Sequence, residues 1–107
     1  MPADVILVLT TVADDDRAEE LARTLVDERL AACVNLYPSM VSIYRWKGRV
    51  ERDGERQLVI KTTRSRLGVL EARLLELHGY ELPELLILPV ESHSAYGEWV
   101  AAETEPP

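Results

Sequence analysis

The sequence predicts an α+β domain in which two β-α-β units share one antiparallel sheet, with the helices on one face. Two short apolar runs, Val5 to Leu9 and Leu85 to Leu88, have the character of strands. Between them lie two segments with helical spacing and one long segment rich in strand-forming residues, Leu30 to Thr63. The predicted order is β-α-β-β-α-β, followed by a short C-terminal helix.

The first strand and helix follow from hydrophobic pattern. Val5 to Leu9 is an uninterrupted apolar run with β-branched members, which is typical of a strand covered on both faces and central in its sheet. Asp14, Asp15 and Asp16 then supply candidate N-cap oxygens and negative charge where a helix begins. Apolar residues recur at three- and four-residue steps after them, which predicts an amphipathic helix with the stripe Ala18, Leu21, Ala22, Leu25 and Val26.

The segment from Leu30 to Thr63 is predicted to be a β-ribbon too long for its domain. We place its turn at Lys47-Gly48, because that turn pairs the whole segment, and expect Asp53-Gly54 to be a bulge or widening. The first arm should bend at Pro38, or have that position on an open side. A fifteen-residue strand would reach about 50 Å, whereas a domain of this length is about 33 Å across. We therefore expect overhanging edges that another subunit completes.

The second half of the chain repeats the pattern. Four leucines on one stripe, ended by Gly79, predict a helix over about 66 to 78: Leu67, Leu70, Leu74 and Leu77. The strand Leu85 to Leu88 stops at Pro89, and Ser94 to Ala102 has helical spacing. This order of elements, with the helices on one face, corresponds to a ferredoxin-like fold in a single domain of residues 1–107.

Composition limits the class of partner. The chain has 107 residues and a net charge of -7, which repels phosphate backbones and anionic membrane surfaces, so we expect no nucleic-acid and no membrane partner. No apolar run approaches the length of a membrane span. The single cysteine, Cys33, excludes an internal disulfide. These features predict a cytoplasmic protein.

Five blocks of the sequence stand in an order and spacing typical of a known family. They are Glu28 to Leu36, Ser42 to Gly48, Lys61 to Thr63, Leu77 to Glu84 leading into Leu88 to Val90, and Tyr96 to Trp99. Together they resemble the CutA divalent-cation-tolerance family over nearly the whole chain.

The resemblance implies a homotrimer with strands continuing between subunits, association with divalent metals, copper especially, and kinship to PII signalling trimers. Some members carry a cysteine at the end of the first strand and two histidines in a row before the Pro-Tyr of the fourth block. This chain has Thr10 at the first place, Leu77-His78 at the second and Gly79 for the proline. Of the cysteine and histidine positions that could bind copper in those members, this chain keeps only His78.

Two groups of residues are candidate sites. His78, Glu81 and Glu84 could hold a divalent cation, although a histidine at this position also interacts with the helix dipole. Tyr44, Trp46 and Lys61 form a second group, expected to pack against a neighbouring subunit or, with Tyr80 and Glu84, to line a pocket between subunits.

We expect no enzymatic activity. An acylphosphatase needs a phosphate cradle after the first strand, where this chain has Thr10 to Ala13 followed by three aspartates, and no Cys-His order can be argued around Cys33. The predicted function is a trimeric metal-responsive, copper-type binding protein of divalent-cation tolerance that requires no cofactor. The alternative is a PII-like trimeric scaffold that takes a small ligand or protein partner between subunits, with metal incidental.

Overall fold

The computed structural model describes residues 4–107, so the first three residues of the predicted domain lie outside the described residues. The order of elements agrees with the sequence prediction, with the first arm of the ribbon divided in two. The elements are β1 Val5–Ala13, α1 Arg17–Asp27, β2 Cys33–Leu36, β3 Met40–Trp46, β4 Arg49–Thr63, α2 Arg64–Leu77, β5 Leu86–Pro89 and α3 Ser94–Glu103. Within residues 4–107, no helix has the length and apolar character needed to cross a membrane.

All strand pairs in the sheet are antiparallel. The order is β2-β4-β1-β5, and β3 continues along β4 beyond the end of β2. β1 and β4 are the central strands, which confirms the central position predicted for Val5 to Leu9. The topology is the ferredoxin-like arrangement of two interleaved β-α-β units.

One face of the sheet carries the hydrophobic core. Alternate residues of β1 and β4 pack against α1 and α2, as the two-residue period of a strand requires. The most deeply buried members, at 1% exposure or less, are Ile6, Val8, Leu25, Leu58, Ile60, Leu70 and Leu74. Val26 was predicted to belong to the apolar stripe of α1, but it is 42% exposed and lies outside this core.

The opposite face, which we call the open face, is apolar and incompletely covered. Leu7 lies opposite Leu88 and Leu9 opposite Leu86, so these four side chains share one side of the sheet. Leu86 is 51% exposed and Leu88 40% exposed. A single chain therefore presents water-accessible leucines on a sheet surface of the kind that normally packs against another layer.

The hairpin of β3 and the first half of β4, which we call the ribbon, extends beyond the core. β1 pairs with β4 only as far as Ala13 opposite Glu55, and the remaining residues of β4 pair with β3. The molecule measures 47 × 24 × 23 Å, so one axis is about twice the others. The predicted overhang is present.

The predicted turn at Lys47-Gly48 is confirmed. Both residues have positive φ, 50° and 80°, as a two-residue type I′ turn requires. Asp53-Gly54 is not a bulge, because Ser42 pairs with Asp53 and Val41 with Gly54 in continuous register.

The irregularity lies instead in the first arm, around Pro38. Leu36 pairs with Leu58 and Met40 with Glu55, which leaves three residues, 37–39, opposite two. Proline cannot donate to the ladder, so the extra residue is accommodated there and the arm bends, as predicted for Pro38.

Helix α1 begins directly after the three aspartates, as predicted, with Asp16 at the N-cap position. Asp16 makes no side-chain capping bond. Asp15 instead accepts the Arg17 backbone N–H at 3.0 Å and also pairs with the Arg17 guanidinium at 2.6 Å. The pKa of Asp15 is lowered, chiefly by the hydrogen bond from the Arg17 side chain.

We expect Gly48→Ala to lower the free energy of unfolding by about 1 kcal/mol, because a Cβ is disfavoured at φ +80°. Gly54→Ala is the matched control, since that glycine has no positive φ and an added Cβ would meet nothing within 4 Å. Urea unfolding followed by circular dichroism measures both. Equal losses in the two variants would contradict the turn assignment.

Candidate binding cleft

A cleft of about 1000 Å³ opens between the ribbon and the segment of residues 78–84, which we call the strap. The strap links α2 to β5 and crosses the base of the ribbon. The wall of the cleft includes Tyr44 and Trp46 from β3 and Tyr80, Glu81 and Glu84 from the strap. The structure therefore brings five of the seven predicted site residues to one cavity within a single chain.

His78 fixes the first end of the strap to β1. Its Nε2 lies 2.8 Å from the Thr11 carbonyl oxygen and 3.3 Å from the Thr10 hydroxyl, and its Nδ1 accepts the Tyr80 backbone N–H at 3.2 Å. Because a carbonyl oxygen can only accept, the ring proton is on Nε2. The lone pair of Nδ1 is therefore directed toward the strap.

Tyr80 fixes the strap to β4. Its hydroxyl donates to Glu55 Oε2 at 2.7 Å, and Glu55 is only 8% exposed. The pKa of Tyr80 lies well above the usual value of 10.0, first because the phenol is buried and second because it donates to the Glu55 carboxylate.

A second tyrosine makes a similar pair nearer the tip of the ribbon. The Tyr44 hydroxyl donates to the Asp53 carboxylate, and this hydrogen bond, followed by partial desolvation, raises the pKa of Tyr44 to about 12. The two phenols thus each hold a carboxylate of β4 on the cleft side.

The remaining acidic side chains of the strap have their own partners. Glu84 accepts from Gln57 Nε2 at 3.0 Å, and the same amide nitrogen donates to the Thr10 carbonyl at 2.7 Å. Glu81 forms an exposed ion pair of 3.7 Å with Lys47 at the hairpin turn. The strap is therefore attached to β1, to β4 and to the turn.

The predicted metal triad does not assemble in this chain. Among residues 4–107 no three histidine, cysteine, aspartate or glutamate side chains converge as metal ligands. His78, Glu81 and Glu84 each contact a different element, namely β1, the hairpin turn and β4. Of the three, only His78 keeps a soft donor atom on the strap side.

Lys61 does not join Tyr44 and Trp46 within one chain, so the predicted grouping of the three between subunits stays a prediction. Tyr44 lies opposite Glu51 and Lys61 lies ten residues further along β4, a separation of about 33 Å. Lys61 is on the open face, where its ammonium contacts Asn35 and lies 3.8 Å from the Cys33 sulfur.

Sequence reasoning missed the cleft residues contributed by β4, namely Asp53, Glu55 and Gln57. They lie in a run of charged and polar residues that resembles an ordinary solvated strand. The register set by the Lys47-Gly48 turn places all three on one face and could have identified them, although no sequence signal places the strap over that face.

The sheet order and the two-layer packing define a ferredoxin-like α+β protein with a cleft beside its protruding ribbon. A sequence profile described as CutA1 divalent ion tolerance protein matches residues 6–103. The chain belongs to the CutA1 family, which confirms the resemblance found in its five blocks.

Individual relatives agree with this assignment. The divalent-cation tolerance protein CutA of Thermus thermophilus is 43% identical over 99 residues, covering 92% of this chain and 96% of the relative. Human protein CutA is 42% identical over 106 residues, which is 98% of this chain but 59% of the human protein. The solved structure titled PII-like protein CutA from Nostoc sp., in apo form, superimposes with a TM-score of 0.89 at 38% identity, covering 95% of this chain and 99% of that one.

We expect Tyr80→Phe to lower the free energy of unfolding by about 1 to 3 kcal/mol, because Glu55 loses its hydrogen-bond donor in a buried position. Tyr96→Phe is the control, since Tyr96 is 40% exposed and its hydroxyl makes no hydrogen bond within residues 4–107. Urea unfolding at neutral pH compares the two.

The same pair predicts a pH dependence. Since the pKa of Tyr80 is raised in the folded state, its contribution to stability is complete below pH 10.0 and is lost as the pH rises above that value. The wild-type protein should therefore lose stability above pH 10.0 more steeply than Tyr80→Phe. Parallel curves would show that the Tyr80–Glu55 bond does not contribute.

Proposed function

We propose that this chain is a homotrimeric divalent-cation-tolerance protein of the cytoplasm, which acts by binding and without catalysis. The observation that carries the proposal is its membership of the CutA1 family over residues 6–103. A relative named for divalent-cation tolerance covers 92% of the chain, which supports extending the role to this protein. The two unpaired edges described next support the trimer.

The first unpaired edge belongs to β5. Within residues 4–107 this strand pairs with β1 alone, and all four of its residues, Leu86–Pro89, are exposed. It contains no charged side chain of the kind that normally protects an edge from pairing. Its open side is suited to receive a strand from a second copy.

The second unpaired edge belongs to the ribbon. In the described part of the chain β3 pairs with β4 alone, and its Val41 and Ile43 are 51% and 71% exposed. The two edges lie on different parts of the chain, so a head-to-tail contact between them leaves one edge of each subunit free for a further copy and forms a ring where the rotation closes. The family resemblance sets the ring at three subunits.

We assign His78 as the one donor that the strap supplies to a copper-type divalent ion. A metal-binding histidine usually donates its second ring N–H to a carbonyl or carboxylate, as Nε2 does to Thr11, which leaves Nδ1 as the ligand atom. Its present partner, the Tyr80 amide at 3.2 Å, is a long contact. Because no triad converges among residues 4–107, further ligands must come from another subunit or from solvent, and we expect weak affinity.

The second candidate function is a PII-like trimeric scaffold whose clefts take a small ligand or a protein partner. The observation that favours it is the cleft itself, with its aromatic and carboxylate wall beside the ribbon. The cleft lies against the ribbon edge at which we propose that subunits meet, so each cleft would lie next to an interface.

We expect Ile43→Asp to convert the trimer into smaller species, because it places a charge on the ribbon edge. Val69→Asp is the matched control, since Val69 is also exposed, at 53%, but lies on α2. Sedimentation equilibrium should give three times 12.1 kDa for the wild type and the control, and a lower mass for Ile43→Asp. A wild-type mass of 12.1 kDa would reject the trimer.

We expect His78→Ala to weaken Cu²⁺ binding by about tenfold or more, through loss of the imidazole ligand. His93→Ala serves as the control, because His93 is the other histidine of the chain and is exposed at the start of α3. Titration calorimetry at neutral pH compares the three proteins. Identical affinity and stoichiometry in wild type and His78→Ala would contradict the assignment.

A further inference from the structure

The charge on the wall of the cleft is predominantly negative. Four carboxylates line it, from Asp53, Glu55, Glu81 and Glu84, whereas Arg45 is the only cationic residue among the described residues of its lining. Three of these carboxylates are held by neutral donors, two tyrosine hydroxyls and one glutamine amide. A neutral donor fixes a carboxylate in place without cancelling its charge, so the cleft retains a negative field.

Glu55 is the most deeply placed of these acids. At 8% exposure it is buried, yet it makes no ion pair within residues 4–107. Only Oε2 of Glu55 has a hydrogen-bond partner in the described chain. Oε1 has none there, and it is not fully enclosed by protein atoms. Because an unpaired buried charge is costly, a cation that reaches Glu55 from the cleft would be bound favourably.

The chain already places one primary ammonium group against this kind of wall. Lys47 Nζ lies 5.6 Å from the centre of the Trp46 ring and 3.7 Å from Glu81 Oε2, at the rim of the cleft. An aromatic face combined with a carboxylate is a recognised arrangement for binding ammonium ions. Tyr44 and Tyr80 continue the aromatic surface inward, beside Asp53 and Glu55.

The distribution of the carboxylates distinguishes among possible cations. Asp53 and Glu55 are two residues apart on one strand, about 7 Å, and Glu81 and Glu84 are on the strap opposite. A metal ion needs ligands that converge on one point, and no such group occurs among residues 4–107. A flexible molecule with several ammonium groups can instead meet separated carboxylates one by one.

We propose that the cleft between the ribbon and the strap binds an organic polyamine, with one ammonium group at Glu55 and Asp53 and its methylene chain along Tyr44 and Tyr80. The inference rests on the second candidate function, that the cleft is a ligand site, and it names the class of ligand. Anionic ligands such as nucleotides are disfavoured by the same field.

The probe is spermidine, titrated by calorimetry into the full-length protein at neutral pH, with 1,8-octanediol as an uncharged chain of similar length and ATP as an anion. Of the three probes, we expect spermidine to bind and octanediol and ATP not to bind. Glu55→Gln keeps the shape of the side chain and an oxygen that accepts from Tyr80, and it should raise the dissociation constant about tenfold. Glu91→Gln removes the same charge from an exposed site outside the cleft and should leave the constant within about twofold.

Sedimentation and thermal unfolding of each variant separate a local effect from a loss of folding, and Glu84→Gln provides a second cleft variant if Glu55→Gln is unstable. Equal affinity in the Glu55 and Glu91 variants would mean general charge attraction and overturn the proposal. Binding of octanediol or ATP without spermidine would retain the ligand site but reject its class. No binding of any probe to an intact trimer would reject both the polyamine and the ligand-site candidate.

Discussion

The main-chain hydrogen bonds of β4 are the constraint on which the rest of this structure depends. From Glu55 to Thr63 the strand pairs with β1 along the whole of one side and with β2 at residues 58–61 on the other. From Arg49 to Gly54 it pairs with β3 alone. One half is therefore stabilised by the sheet and its two helices, whereas the other has a free edge that only another molecule can pair.

Glu55 lies where these two halves meet. In chain order it is the last residue of β4 that pairs with β3, opposite Met40, and the first that pairs with β1, opposite Ala13. The strap attaches to the sheet at this junction, since Tyr80 donates to Glu55 and Gln57 links the next position on the same face to Glu84. The stability of the ribbon base and the shape of the cleft are thus consequences of the same few contacts, which explains why a buried carboxylate is tolerated there.

Local sequence signals were enough for the fold but only partly for the site. The Lys47-Gly48 turn was predictable because strand pairing over the whole ribbon outweighed the dipeptide preference of Asp53-Gly54. Within one chain the Lys47-Gly48 turn already places Lys61 far along β4 from Trp46, and their predicted meeting between subunits depends on assembly contacts that no local pattern specifies. The Glu55 contact joins residues 25 positions apart, through a strap whose path no local pattern specifies.

Charge distribution along the chain supports the head-to-tail mode of assembly. The protein carries a net charge of -7, yet the end of the ribbon has four exposed basic residues and one acid: Arg45, Lys47, Arg49 and Arg52, with Glu51. Two ribbon ends brought together would repel each other, whereas a ribbon end directed at the acidic body of a second copy would be attracted. The geometry of the free edges and the sign of the charges therefore favour the same contact, in which the ribbon of each subunit reaches the body of the next.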